Sequence, residues 1–413
     1  GGLTILGDAP IAADTSTIPF LLSDQPDVLY GGDNEIDSSG VLQFVSIRHP
    51  GAEAFPDEAL DGLFLGGVGS KTIISNIEVY AGQDDAITLS GGTVNLKYLS
   101  VSFNSDEAID WDLGWRGNGQ FWLALQDEDS DRCGEHDGAT PDLEEPYARP
   151  IIANVTYIGP GIDAESSASE ALLFRDRSGG IYTNSIFVNF PEHAIHVEDR
   201  ADLPDAYDHL QTGNLLLNCN YWWNFGAGDT WAELVNIDPA SEDPTASFLI
   251  NLMESTQNTI ADPLLVNLDP EPAVFDPRLS PGSPALNGGC PLNDSFFEPV
   301  SYIGAFDADN IWLQDWTGMD ANQFFAFTTA VNSLEAKQDF NIYPNPAGDL
   351  LTSEGLTGVS TVRLLSLDGQ LLREQQAADP IQTLYISALP EGMYLLQIQT
   401  PEGTATKKII KTK

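Results

Sequence analysis

Residues 105–114 read SDEAIDWDLG, and the same pattern returns in altered form four more times. The variants are LDGLFLGG from Leu60, QDDAITLSGG from Gln83, SEALLFRD from Ser169 and EHAIHVED from Glu192. Each opens on acidic or polar residues, passes a small Ala or Gly, and then places two large apolar residues two positions apart. A period of two belongs to a strand with one buried face. Leu63 and Leu65, Ile87 and Leu89, Ile109 and Trp111, Leu172 and Phe174, and Ile195 and Val197 therefore point inward. Steps of 24, 22 and 23 residues separate Asp61 from Asp85, Asp85 from Glu107, and Glu170 from His193. A step of that size is one coil of a solenoid, so the pattern predicts a stack of β rungs.

A second apolar segment follows each repeat, as in TIISNIEVYAG (72–82), TVNLKYLSVSF (93–103), GQFWLALQD (119–127) and IIANVTYIGPG (151–161). Gly, Asn and Asp mark the turns, and no amphipathic helix lies between the strands. This predicts an all-β chain, a right-handed parallel β-helix over residues 1–240, with an irregular Pro- and aromatic-rich cap over 241–327 covering the open end of the stack. DEDSDRCGEHDGATPDLEEPYARP (127–150) reads as a long surface loop around one atypical rung, and 199–212 as a second acidic loop. GGLTILGDAPI (1–11) already reads as a rung strand and no signal peptide precedes it. The expectation is a mature or truncated product that lacks upstream rungs.

Charge divides the chain. Residues 1–330 hold 53 acidic and 10 basic residues, against 9 and 7 in residues 331–413, for a net charge of −45. Such a surface excludes nucleic acid and anionic membrane faces as partners. The polar stretch TTAVNSLEAKQ (328–338) at the break reads as a linker. No stretch approaches the roughly 20 apolar residues of a membrane span. Three cysteines, Cys133, Cys219 and Cys290, leave at least one thiol unpaired within the chain. A Cys219–Cys290 bridge would staple the last rung to the segment that follows it.

Past the linker, strands such as TVRLLSLDG and MYLLQIQT alternate between DG and PEG turns, which predicts a small Ig-like antiparallel β-sandwich over 339–413. Tyr343-Pro344-Asn345-Pro346, Asp368-Gly369, Gly392-Met393-Tyr394 and the closing Lys407, Lys408 and Lys411 resemble, in order and spacing, a type IX secretion system C-terminal sorting domain of type A. The resemblance implies passage through the outer membrane by the type IX machinery and a secreted or cell-surface location. DGLFLGGVGS, WRGNGQFW, PGSPALNGG and YIGAFDADNIWLQDWT resemble a family of large secreted β-helix proteins of Bacteroidetes over most of residues 1–317. That likeness implies a fold and a location, not a reaction.

Laying the repeats over one another puts outward residues in columns. Asp110 and Asp112 follow Thr88 and Ser90, and if RCGEHDG is the next rung then Glu135 and Asp137 follow them. With rungs about 4.8 Å apart, these four carboxylates form a two-by-two patch whose repulsion calls for neutralisation. Calcium, which takes six to eight oxygen ligands, suits it. Asp127, Asp129 and Asp131 alternate as calcium ligands do, although Arg132 and Gly138 stand where an EF-hand needs Gly and Glu. The competing reading is an acidic face paired with Arg116, Arg132 or Arg175.

The same patch supports two functional readings. One is a non-catalytic surface β-helix, adhesive, structural or glycan-binding, with surface glycans or other copies of itself as partners. The other is a calcium-dependent polysaccharide lyase or glycoside hydrolase, with Asp110, Asp112, Glu135, Asp137 and Arg175 as its catalytic set and Trp111, Trp115 or Trp122 as a sugar platform. Parity on the strand already turns Trp111 inward. His193, His196 and His209 sit near Glu192, Glu198 and Asp199, but His193 and His196 are three apart, which on a strand sends them to opposite faces and speaks against a shared metal. The chain carries no GxSxG or phosphate-binding loop.

Overall fold

The computed structural model describes residues 1–13, 16–17, 28–52, 59–141, 143–164, 170–201, 203–325, 341–354, 360–366, 371–377, 379, 381–390, 392–400 and 403–413. They form two compact units, Gly1–Ala326 and Phe327–Lys413. The linker at 328–338 and the turn residues Asp368 and Gly369 lie outside the described residues.

The first unit is a parallel β-helix. Its short-strand sheet stacks Leu3–Leu6, Leu63–Gly66, Ile87–Ser90, Ile109–Asp112, Gly134–Asp137, Leu172–Arg175, Ile195–Glu198 and Val235–Asp238, all parallel. GEHD within the long loop is thus a true rung. The inward residues named from the two-residue period are all buried, and they pack in one continuous core with Trp115, Trp122, Tyr157, Tyr182, Phe187 and Trp222.

The second, long-strand sheet runs from Val41–Arg48 through Ile73–Tyr80, Asn95–Ser102, Asn118–Leu125 and Ile151–Ile158 to shorter strands ending at Thr259–Ile260. Each eight-residue strand folds at its fourth residue. Phe44, Asn76, Tyr98, Phe121 and Asn154, continued by Asn184 and Cys219, all hold φ between 54° and 61°. The register omits these residues, Gln43 facing Ser75 and Val45 facing Ile77. A left-handed residue costs a non-glycine about 1–2 kcal/mol. Stacking along the column offsets part of that cost, as where the Tyr98 and Phe121 rings lie 5.1 Å apart at 22°. The corner bends the sheet into two faces and gives each coil three sides.

The helix Ser247–Ser255 lays Leu249 and Met253 on the core, and Thr259–Ile260 adds a last strand beside Tyr221–Trp223. The acidic stretch 199–212, expected as a loop, carries the helix Ala206–Thr212, because Asp205 and Asp208 form a capping box at its start.

Residues 284–325 do not stay at that end of the stack. They zigzag back along the corner of the long-strand sheet, held by side chains that project from it. Asn184 donates to the Cys290 carbonyl at 2.8 Å and accepts its N–H at 2.7 Å. Gln120 does the same with Glu298, at 3.0 and 2.8 Å. Asn154 donates to the Tyr302 carbonyl and Thr156 accepts the Ala305 N–H. The Cys219–Cys290 disulfide fixes this segment to the corner, and Cys133 is a free, buried thiol.

Near the first rungs the fully buried Glu78 accepts hydrogen bonds from Ser46 Oγ and from the N–H groups of Gly318 and Met319. Replacing Glu78 by alanine should cost about 2–3 kcal/mol, since three hydrogen bonds to a buried acceptor are lost and their donors left unpaired. The readout is faster amide exchange at Gly318 and Met319. Unchanged exchange there would show that the carboxylate does not hold this segment.

The second unit is a β-sandwich. A three-stranded antiparallel sheet (Asn341–Tyr343, Leu350–Glu354, Ile381–Tyr385) and a four-stranded one (Leu371–Ala377, Ser360–Leu365, Gly392–Thr400, Gly403–Lys411) enclose Leu351, Val362, Leu364, Leu384, Leu396, Ile398 and Ile409. Asn345 ties the Tyr-Pro-Asn-Pro turn to the last strand, donating to the Lys408 carbonyl at 3.0 Å and accepting the Ile410 N–H at 2.9 Å. The Tyr343 hydroxyl reaches Glu354 and the Tyr394 hydroxyl reaches the Pro390 carbonyl. Lys407 and Lys408 are exposed.

Candidate functional site

The outer face of the short-strand sheet carries an acidic ladder. Thr88 stands opposite Asp110 and Ser90 opposite Asp112. Asp110 stands opposite Glu135, and Asp137 opposite Arg175. The rung pairing therefore brings Asp110, Asp112, Glu135, Asp137 and Arg175 onto one surface.

Cations serve one end of this ladder. Arg175 binds Glu135 through Nη2, and places Nε 2.7 Å from Asp137 Oδ1 and Nη2 3.3 Å from Asp137 Oδ2. Burial raises Asp137 to about 7 against the pull of that guanidinium. The forked contact is one a carboxylate makes, so above that pH the two groups stand as an ion pair. Arg132 is 2.8 Å from Glu135, 3.2 Å from Glu107, 3.5 Å from Asp131 and 3.6 Å from Glu170. Burial opposes ionisation of Glu170, but His196 and Arg132 beside it prevail and hold it at about 2.

The other end is unbalanced. Burial first, then the charges of Asp137, Asp112, Glu135 and Glu107, push Asp110 well above the usual carboxylate range. Burial and Asp110, Asp61 and Asp106 do the same to Asp85. Glu107 is raised by burial and by Asp85, and burial takes Asp61 to about 7. Asp112 is also raised by burial, and accepts weakly from the Thr140 hydroxyl at 3.4 Å.

Just ahead of the strands, at the turn, carboxylate oxygens gather within 4.8 Å of one another in two overlapping groups, Asp84, Asp85 and Asp106, and Asp106, Glu107 and Asp131. Of the three alternating aspartates only Asp131 joins them. Asp127 closes its own turn, accepting from the Asp129 N–H and the Ser130 hydroxyl at 3.1 Å each, and Asp129 is exposed.

This turn column was visible in the sequence as the acidic residue that opens each repeat, yet spacing alone gave it no chemistry. Backbone bonds from Ala86 to Glu107 and from Ala108 to Arg132 show the column continuing across rungs. Arg132 occupies a place that Asp85 and Glu107 hold in the rungs before it.

The tryptophans offer no platform here, because Trp111, Trp115 and Trp122 are all buried in the core. The histidines stay apart: His196 faces Glu170 at 3.2 Å, His193 lies 3.7 Å from Glu192, and His209 stacks on Tyr147 at 4.3 Å.

Comparison with known families matches residues 1–224 to a pectate-lyase-like β-helix domain and residues 341–412 to a secretion system C-terminal sorting domain. No curated protein matches the chain. Among solved structures, one resembling a part of it is PorZ, an essential bacterial surface component of the type IX secretion system of Porphyromonas gingivalis. It is 17% identical over 20% of this chain and 13% of that one, with a TM-score of 0.18. The sorting tail makes this an exported chain, secreted or held at the cell surface, and among the described residues no helix is long and apolar enough to cross a membrane. Stacked parallel rungs and a match over more than half its length agree: the chain belongs to the pectate-lyase-like β-helix domain family and ends in a secretion system sorting domain.

Proposed function

We propose that this protein works outside the cell by binding rather than by catalysis, its acidic sheet face taking calcium and, through the ion, acidic glycans. One observation carries the reading. Carboxylates from successive rungs crowd together at Asp61, Asp84, Asp85, Asp106 and Asp110, while Arg132 is committed to Glu107 and Glu135 and Arg175 to Glu135 and Asp137. Crowded carboxylates favour a divalent cation with oxygen ligands. A guanidinium held in a forked pair is poorly placed to take a proton from a substrate.

The test is a titration of the full chain with calcium and an acidic polysaccharide such as polygalacturonate, followed by calorimetry and by assays for unsaturated products and new reducing ends. Saturable calcium-dependent binding without either product is the expected result. Cleavage that Asp112→Ala abolishes would replace this reading with a lyase or hydrolase that uses Arg175 and the ladder carboxylates.

A further inference from the structure

On the other sheet, a cleft of about 430 Å3 opens between the left-handed corner and the returning segment 298–312, a size usual for small-ligand sites. Its wall is aromatic. The Tyr98 ring lies nearly parallel to Phe121 at 5.1 Å and edge-on to Trp312 at 5.4 Å, and Tyr302 stands 6.2 Å from Phe121. Phe121 is buried, but Tyr98, Tyr302 and Trp312 keep part of their surface exposed, unlike the fully covered core tryptophans.

The polar groups around the cleft separate into spent and free. Glu298 already accepts from Lys97 at 3.0 Å and from the Tyr98 hydroxyl at 3.1 Å. Asp307 accepts the N–H groups of Asp309 and Asn310 and the Asn310 amide. Lys97 offsets the charge of Glu298 and Asp307 closes its own turn, while a net charge of −45 disfavours an anionic ligand. Asn76 differs from its neighbours in the corner column. Asn154 and Asn184 use their amides on the returning segment, whereas the Asn76 side chain lines the cleft and has no hydrogen-bond partner among the described residues.

Aromatic faces beside a free amide, able both to donate and to accept, match the chemistry of a sugar ring. One face of the sugar is C–H and stacks on an aromatic, and its rim of hydroxyls donates and accepts. A second, smaller cleft of about 260 Å3 shares Glu298 and Val300 with the first, so the space continues past one ring. We propose that this corner cleft binds a neutral oligosaccharide, independently of calcium and of the acidic ladder. It stands whether or not the calcium reading does.

The experiment titrates the full chain, in chelator, with neutral gluco-, xylo- and manno-oligosaccharides, read by tryptophan fluorescence and saturation-transfer NMR. Saturable binding is expected. Asn76→Ala, which removes no described internal bond, should weaken it about tenfold, Trp312→Ala should abolish it, and Asp110→Asn on the ladder should leave it unchanged. If Trp312→Ala does not fold, Asn76→Ala decides alone. The proposal is overturned if no neutral oligosaccharide binds at millimolar concentration, if Asn76→Ala binds as tightly as the parent, or if choline or a sulfated sugar takes the cleft instead.

Discussion

Replacing Trp111 by alanine is expected to destabilise the β-helix unit by about 3–5 kcal/mol, the range for truncating a buried tryptophan. Its ring is fully buried and lies on His136 with centroids 3.4 Å apart and planes within 6°. It also packs near Trp115 at 5.7 Å and Tyr182 at 5.8 Å, and its Nε1 donates to Ser178 Oγ at 3.1 Å. The hole cannot collapse, since rungs on both sides are pinned by main-chain ladders.

His136 gives an independent readout of the same change. The Glu135 carbonyl can only accept, so Nδ1–H donates to it at 2.7 Å, and Nε2 accepts from the Tyr182 hydroxyl at 2.9 Å. Burial holds this imidazole neutral by pushing its pKa well below the usual histidine range. Opening the stack beside it should let that pKa climb back towards 6.5, visible by NMR titration. An unfolding free energy from denaturant titration within about 1 kcal/mol of the parent's would show that Trp111 does not support the rung.

In the absence of divalent cations, stability should fall as pH rises from about 5 to about 8. Asp61, Asp85, Glu107 and Asp110 bind their protons more tightly folded than unfolded. Above the unfolded carboxylate range the native state therefore holds more protons than the denatured state, and the unfolding free energy declines with pH. For Asp61, moved from 3.8 to about 7 and only 8% exposed, the full loss is at most about 4 kcal/mol at 1.36 kcal/mol per unit. Glu170 acts in the opposite sense, since its depressed pKa adds stability above about 4 that disappears as pH falls towards 2.

Calcium, bound in place of those protons, should flatten the decline. The pair Asp85→Asn and Asp110→Asn should raise stability at pH 8 in chelator, because the mutual repulsion is relieved. Melting curves across this pH range decide the matter. Stability that rises from pH 5 to pH 8 in chelator would mean that these carboxylates are not under strain.

Some of this was legible before any coordinates. The two-residue period and the repeat step located the rungs, because a strand buried on one face must alternate and a coil must close on a nearly constant length. Asp110, Glu135 and Arg175 were placed together by register alone. The corner was not legible, since no pattern announces that Phe44, Tyr98 and Phe121 adopt a conformation usually left to Gly or Asn. Nor was the path of residues 284–325, which depends on Gln120, Asn154 and Asn184 reaching main chain more than 100 positions away. Asp131 was named from its alternation with Asp127 and Asp129, but its grouping with Asp106 and Glu107, and that of Asp84 and Asp85 with Asp106, escaped because turn geometry, not periodicity, brings those side chains together.

The returning segment also changes how the stack should come apart. In a solenoid whose coils touch only their neighbours, unfolding can begin at either end and peel inwards one coil at a time. Here one chain segment bonds to rungs at Glu78, Gln120, Asn154 and Asn184, and so links coils that never touch. Losing a terminal coil then means releasing a strap that the middle coils still hold, which makes fraying costly and couples distant rungs into a single cooperative transition.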